Sequence, residues 1–120
     1  MLEDVKKRLE ALGFTVADTD NWVLNFCIEK VTNHIKNSCN ISVVPKELHE
    51  IAVDMACSEF LAGKMQSGQL AYKQAVKRIK EGDTDIEYVA GQSDIELLNK
   101  LIASLRMNEA DLITYRRLVW

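Results

Sequence analysis

Apolar residues recur at helical spacing in five separate stretches of the chain. Each stretch repeats at intervals of three and four residues, which is typical of an amphipathic α-helix. The first stretch ends at Gly13, and glycine commonly follows the last turn of a helix. The pattern therefore predicts an all-α protein, a small bundle of about five helices, over residues 2–12, 20–37, 45–65, 72–79 and 95–105.

The second predicted helix is apolar over most of its circumference. Its main stripe comprises Leu24, Cys27, Ile28, Val31 and Ile35. Trp22, Val23 and Phe26 widen this stripe at the start of the helix. Plausible N-caps are Asp18, Thr19 and Asp20. A helix of this kind is usually buried on more than one side, so we expect part of its surface to face another subunit.

The third predicted helix is expected to be central. Pro45 suits a first helical position, and a broad apolar face follows it. The polar side carries Glu47, Glu50, Asp54 and Ser58. Glu59 falls near the apolar side, so we expect it to have a partner there.

After the fourth helix, Ile86 to Val89 briefly alternate between apolar and polar residues. We predict a short extended arm or loop here, and an extended arm must pair with something, for example a neighbouring subunit. Ser93 and Glu96 then fit a capping box at the start of the fifth helix. The apolar face of that helix is predicted to comprise Ile95, Leu98, Leu101, Ile102 and Leu105.

Composition is consistent with one helical domain. The chain has 120 residues, 48% of them hydrophobic, with one proline and five glycines. A formal charge of −3 argues against a general nucleic-acid binder, which is normally basic. We expect neither a membrane span nor a signal peptide, because apolar runs are short and charged residues crowd the start of the sequence.

The residues that carry chemistry do not form a recognisable catalytic pattern. Cys27, Cys39 and Cys57 lack close Cys or His pairing, so we interpret them as reduced, buried thiols and predict no metal and no cofactor. His34 is interpreted as a core or interface histidine. The sequence contains no Gly-rich phosphate loop and no nucleophile elbow. We therefore predict that the protein is not an enzyme; an enzyme using Cys57 or His49 remains an alternative.

The fourth helix has a basic side formed by Lys73, Lys77, Arg78 and Lys80. These residues suit either a phosphate backbone or solvent. If they bind phosphate, the protein is a small helical DNA-binding or regulatory module of a prophage.

The last residues of the sequence are of types enriched at binding hot spots: Tyr115, Arg116, Arg117, Leu118 and Trp120. Two interpretations are open for these last residues. In the first, Leu118 and Trp120 fold back onto the domain's own core; in the second, the residues dock on a partner. We accordingly divide the chain into a helical domain, 1–114, and a tail, 115–120.

Several stretches resemble tailed-phage head-tail connector proteins, the small adaptor or head-completion proteins of phages and prophages. They are Asn25–Asn37 with Cys39–Ile41, Val44–Leu48, Ala52–Leu61, Ile79–Thr84 and Tyr115–Trp120. The resemblance extends over most of the chain, and these stretches occur in the family's order.

The resemblance implies a structural role in the virion, at the head-tail interface, after synthesis in the bacterial cytoplasm. Such adaptors form a ring beneath the portal, extend the DNA channel without binding DNA specifically, and present a surface to a stopper or tail component. It implies portal contact through Tyr115 to Trp120. It also implies an inter-subunit arm that includes Asp83, Thr84, Ile86 and Tyr88. A monomer in isolation is compatible with this role.

Overall fold

In the part of the chain that the structure describes, five α-helices form where the apolar periodicity predicts them. A computed structural model describes residues 1–68, 70–82, 86 and 88–106, and these residues contain helices but no strand. Short 3₁₀-helical turns at Asp18–Asp20 and Lys46–Leu48 precede the second and third helices. The α-helices are α1 (Leu2–Ala11), α2 (Asn21–Cys39), α3 (His49–Gln66), α4 (Lys73–Lys80) and α5 (Asp94–Arg106). The predicted all-α fold class is confirmed.

The α3 helix is the centre of the bundle, as predicted, because α1, α2 and α5 all pack against it. Its buried residues are Ala52, Val53, Met55, Ala56, Cys57, Ser58, Phe60 and Leu61. The prediction that Ser58 lies on the polar side is wrong. The Ser58 hydroxyl donates a hydrogen bond of 2.7 Å to the Met55 carbonyl, which satisfies it inside the core.

The ends of α2 and α3 differ from the predicted ones. The α2 helix continues to Cys39, two residues beyond the predicted Asn37, and ends where Asn40 adopts a left-handed φ of 56°. Asparagine tolerates this conformation better than most residues. Pro45 is not a residue of α3: it precedes the 3₁₀-helical turn, and α3 begins only at His49.

Gly13 ends α1 and allows α4 to approach it closely. Its φ is +100°, and the N–H groups of Gly13 and Phe14 donate to the carbonyls of Glu10 and Leu9 at 3.0 Å each. This is a Schellman motif. A Cβ at Gly13 would lie 2.9 Å from both the N and Cα atoms of Ala75 in α4. The position therefore needs glycine both for its conformation and for its packing.

The apolar face of α5 is rotated relative to the prediction. Leu97 is fully buried, whereas Ile95 is 46% exposed. The other four predicted positions are buried. The helix packs against both α3 and α4, so its buried face extends to the side that carries Leu97.

The chain after α4 forms a loop in its described part. Ile86 is half-buried and packs against the core. Val89 and Gln92 close a turn: the Val89 N–H donates to Gln92 Oε1 at 3.1 Å, and the Gln92 N–H donates to the Val89 carbonyl at 3.2 Å. Ser93 then accepts a 3.2 Å bond from the Glu96 N–H, which supplies one half of the predicted capping box.

Among the described residues, none of the helices combines the length and apolarity that are needed to cross a bilayer.

We expect Gly13→Ala to destabilise the fold by more than about 1 kcal/mol, because alanine resists a positive φ and its Cβ would clash with the backbone of Ala75. Chemical denaturation followed by circular dichroism measures this change.

Two other glycines provide matched controls. Gly63→Ala lies within α3 with open space around it, and we expect it to be neutral or stabilising by up to about 1 kcal/mol. Gly68 has a φ of +73°, but a Cβ added there would meet no atom within 4 Å. Gly68→Ala therefore measures the conformational strain alone. If Gly13→Ala lowers the free energy of unfolding by no more than Gly68→Ala does, the close contact with α4 does not contribute to stability.

Candidate functional site

Most of the predicted partner-binding residues lie outside the described part of the chain. This holds for the tail, Tyr115 to Trp120, and for Asp83 and Thr84 of the predicted arm. The candidate site is therefore built from the exposed apolar surface that the described residues present.

The first turns of α2 present an aromatic platform to solvent. Trp22 is 76% exposed and Phe26 is 58% exposed. The two rings lie one helical turn apart and stack, with centroids 6.2 Å apart and an interplanar angle of 17°. Val23 beside them is 37% exposed. Large side chains grouped in this way mark interaction surfaces more often than single exposed ones do.

A shallow groove continues from this platform between α2 and α3. We call it the α2/α3 groove. At the platform end it is lined by Val23, Phe26, Cys27, Lys30, Glu59, Phe60, Gly63, Lys64 and Ser67. A second depression shares Lys30 and Glu59 with it and reaches His34, Met55 and Arg106. The two depressions that we include in the groove therefore follow one another along α2, from its start towards the end of α5, and meet at Lys30 and Glu59.

Glu59 has the partner that the sequence analysis required. Its Oε2 lies 3.1 Å from Lys30 Nζ, so the ion pair joins α3 to α2 across the groove. Both side chains are partly exposed, so the pair contributes at most about 1 kcal/mol to stability. Its main effect is to leave the middle of the groove without net charge.

A less exposed ion pair holds the platform end of the groove. Lys64 Nζ of α3 lies 2.8 Å from Asp20 Oδ1, just before α2. The hydrogen bond from Lys64 lowers the pKa of Asp20, and a bond from the Ala17 N–H adds to this effect against the opposing effect of burial. Asp20 occupies the N-cap position of α2, as predicted, but its carboxylate makes no cap bond to α2 and instead ties this end of α2 to α3.

Two residues of the predicted arm are described, and they differ in exposure. Ile86 contacts the core, whereas Tyr88 is exposed. Lys80 Nζ lies 5.8 Å from the centroid of the Tyr88 ring, so this cation packs against the aromatic face.

The cations of α4 mostly have partners within the protein. Arg78 Nη1 donates to the Ala11 carbonyl at 2.7 Å, and Lys80 lies 3.5 Å from Asp94. Lys77 approaches Glu81 at 3.9 Å. The contacts of Arg78 and Lys80 join α4 to the end of α1 and to α5, and all three contacts reduce the free positive charge on its basic side.

The cysteines are buried, as predicted, and none of the three forms a disulfide bond. Burial raises the pKa of the Cys57 thiol to about 12, and the nearby Asp54 carboxylate adds to the shift. Burial also raises the pKa of Cys27. Both are therefore protonated thiols near neutral pH and poor nucleophiles.

The two histidines lie at the surface. His49 Nε2 lies 2.9 Å from Asp4 Oδ2, an α1–α3 contact beside the ion pair of Arg8 with Asp54. His34 is exposed at the α5 end of the groove, so of the two predicted positions, core or interface, the core is excluded and the interface stays a prediction. In the described part of the chain, no group of three or more His, Cys, Asp or Glu side chains is arranged to hold a metal ion.

The chain matches no protein-family model, no curated protein and no solved structure. The geometry of the site therefore carries the functional argument.

Sequence reasoning found the aromatic residues of the platform but missed the Asp20–Lys64 pair. The sequence offered one sign of this pair: Asp20 comes just before the second helix, and Lys64 lies near the end of the third. Such residues are common in helical proteins, and only the antiparallel packing of α2 on α3 brings these two together.

We expect Asp20→Asn to destabilise the protein by about 1 to 3 kcal/mol near neutral pH, since it removes a charge-assisted hydrogen bond from Lys64. The folded-state pKa of Asp20 is depressed, so its stabilising contribution is present above the unfolded-state pKa of about 4 and is lost as the pH falls through the folded-state pKa.

Denaturation of the wild type and of Asp20→Asn, from neutral pH down into acid, checks the prediction. The difference between their free energies of unfolding should shrink towards zero in acid. Asp18→Asn, an exposed carboxylate in the same turn, is the control and should change stability by less than about 0.5 kcal/mol. A difference between wild type and Asp20→Asn that does not vary with pH would contradict the assignment.

Proposed function

We propose that the protein is a phage head-tail connector of the adaptor, or head-completion, class. In this proposal, copies assemble as a ring beneath the portal, extend the DNA channel and join the filled head to the stopper or tail. The portal, the stopper and neighbouring copies are its partners, and the head-tail interface of the virion is its location. The mechanism is geometric and uses no catalytic step.

The observation that carries this proposal is the aromatic platform on α2. The helix buries Leu24, Val31 and Ile35 in its own bundle, yet it also exposes Trp22 and Phe26. A head-to-tail ring needs apolar surface on each subunit beyond that used by the subunit's core. The family resemblance and the all-helical fold support the same assignment.

The charge of the molecule suits a conduit for DNA better than a DNA-binding module. The formal charge is −3, and Arg78 and Lys80 on α4 are held by groups of the same chain. A phosphate backbone would have to compete with these contacts. The alternative of a prophage DNA-binding or regulatory module therefore has less support.

An enzyme that uses Cys57 also has little support. The thiol lies in the core with its pKa raised to about 12, and its Sγ lies 3.8 Å from the carbonyl oxygen of Val5. A catalytic thiol is normally accessible and has a lowered pKa.

We expect deletion of Leu118 to Trp120 to abolish portal binding while it leaves the helical bundle intact, because these residues supply the apolar anchor that the resemblance implies. Co-sedimentation with purified portal measures binding, and circular dichroism checks the fold. Val43→Ser, which alters an exposed apolar residue elsewhere, is the control and should bind like the wild type.

Completion of heads in extracts that lack the native adaptor provides the functional test. If the shortened protein still completes heads, the tail is not the anchor. If neither it nor the wild type binds portal or completes heads, the connector assignment fails.

We also expect the isolated protein to bind duplex DNA only weakly. A salt titration followed by fluorescence anisotropy tests this, since binding through phosphate contacts falls steeply as salt rises. Micromolar affinity with a steep salt slope, abolished by Lys73→Glu and Lys77→Glu together, would favour the DNA-binding alternative.

A further inference from the structure

The aromatic platform on α2 is flanked by acidic side chains. Glu29 follows Trp22 by seven residues and Phe26 by three, so all three share one face of the helix. Asp18 lies in the 3₁₀-helical turn just before α2. Both carboxylates are exposed, and neither is in an ion pair with a described residue. The platform therefore combines apolar surface with unpaired negative charge.

The lysines beside the platform do not cancel this charge. Lys30 and Lys64 line the adjoining part of the α2/α3 groove, but each is already paired with a carboxylate of the same chain.

A pocket of the opposite charge lies where α2 ends and α3 begins. We call it the basic pocket; its volume is about 380 Å³. Its charged lining residues are Lys36, Lys46 and His49, and no described carboxylate lines it. His49 is already paired with Asp4, so the two lysines carry the unpaired charge. The apolar part of the lining includes Met1, Val44, Pro45 and Ala52.

We propose that the aromatic platform of one copy packs on the basic pocket of the next copy, with Glu29 and Asp18 facing Lys36 and Lys46. The choice of a second copy as the occupant rests on the proposed ring. The match of the two surfaces in polarity and in charge selects which parts of the copies meet. Nucleic acid would pair with the lysines of the pocket but would leave the platform uncovered.

The positions of the two surfaces make the contact head-to-tail. Trp22 precedes Lys36 by 14 residues along α2, which is about 21 Å, whereas a helix with its side chains is about 10–12 Å wide. A copy bound at the basic pocket therefore leaves the first copy's own platform free for another neighbour. A contact between two different surfaces repeats from copy to copy and forms a ring where the rotation closes.

The size of the contact limits its strength. Aromatic side chains bury about 150–250 Å² each, so the two rings bury at most about 500 Å². A stable interface buries about 800 Å² on each partner. We therefore expect isolated copies to associate only at high protein concentration, and salt to weaken the association because it screens the charge pairs.

Sedimentation equilibrium of the full chain measures this association. Trp22→Ala combined with Phe26→Ala removes the platform and should abolish it. Val89→Ala combined with Ile95→Ala alters two exposed apolar residues elsewhere and should leave it unchanged. Circular dichroism must show the same helix content in every variant.

A charge exchange tests which surfaces meet. Glu29→Lys and Lys46→Glu should each weaken self-association several-fold, since each places like charges opposite one another. An equal mixture of the two variants should associate more strongly than either alone, because Lys at 29 then faces Glu at 46.

Matched charge controls are available on other helices. Glu10→Lys and Lys73→Glu change the net charge by the same amounts at exposed positions of α1 and α4. Each should associate like the wild type, and mixing them should give no gain.

Cross-linking of the wild type gives a test that needs no variant. A water-soluble carbodiimide joins a carboxylate to an amine in contact with it, through an amide bond. In a mixture of isotopically light and heavy protein, we expect linked peptides of mixed isotope that join Glu29 or Asp18 to Lys36 or Lys46.

Three results would overturn the proposal: no association at high protein concentration, association that the platform and pocket substitutions leave unchanged, or mixed-isotope links that join other surfaces. If any of these occurs while portal binding and head completion persist, the connector assignment stands and the ring uses another interface. If the head-to-tail contact forms in a protein that neither binds portal nor completes heads, the contact stands and the connector assignment fails.

Discussion

The burial of α3 is the constraint on which the rest of the structure depends. This helix is covered by α1, α2 and α5, and small residues such as Ala52, Ala56 and Ser58 lie in its buried surface. Small side chains let neighbouring helices approach closely. The α4 helix is held indirectly, through α5 and through the contact of Gly13 with Ala75. A protein of this size thus uses one shared helix to provide a core that no pair of its helices would form alone.

The exposed site is a consequence of this arrangement. The α2 helix turns one side of its wide apolar surface to α3, and no described helix covers Trp22 and Phe26 on the other side. The ion pairs of Lys30 and Lys64 connect the two helices along the groove that remains. They tie the two walls together and pair the charges of both lysines with carboxylates.

Much of the fold could be predicted from the sequence, because the helices depend on periodicity and on local end signals such as Gly13. The errors fall where tertiary contacts override the local pattern. Ser58 is buried because a backbone carbonyl satisfies its hydroxyl, and Leu97 replaces Ile95 because α5 has two neighbours. The aromatic residues of the site were visible in the sequence. The groove was not, since it exists only once residues distant in the chain have been brought together.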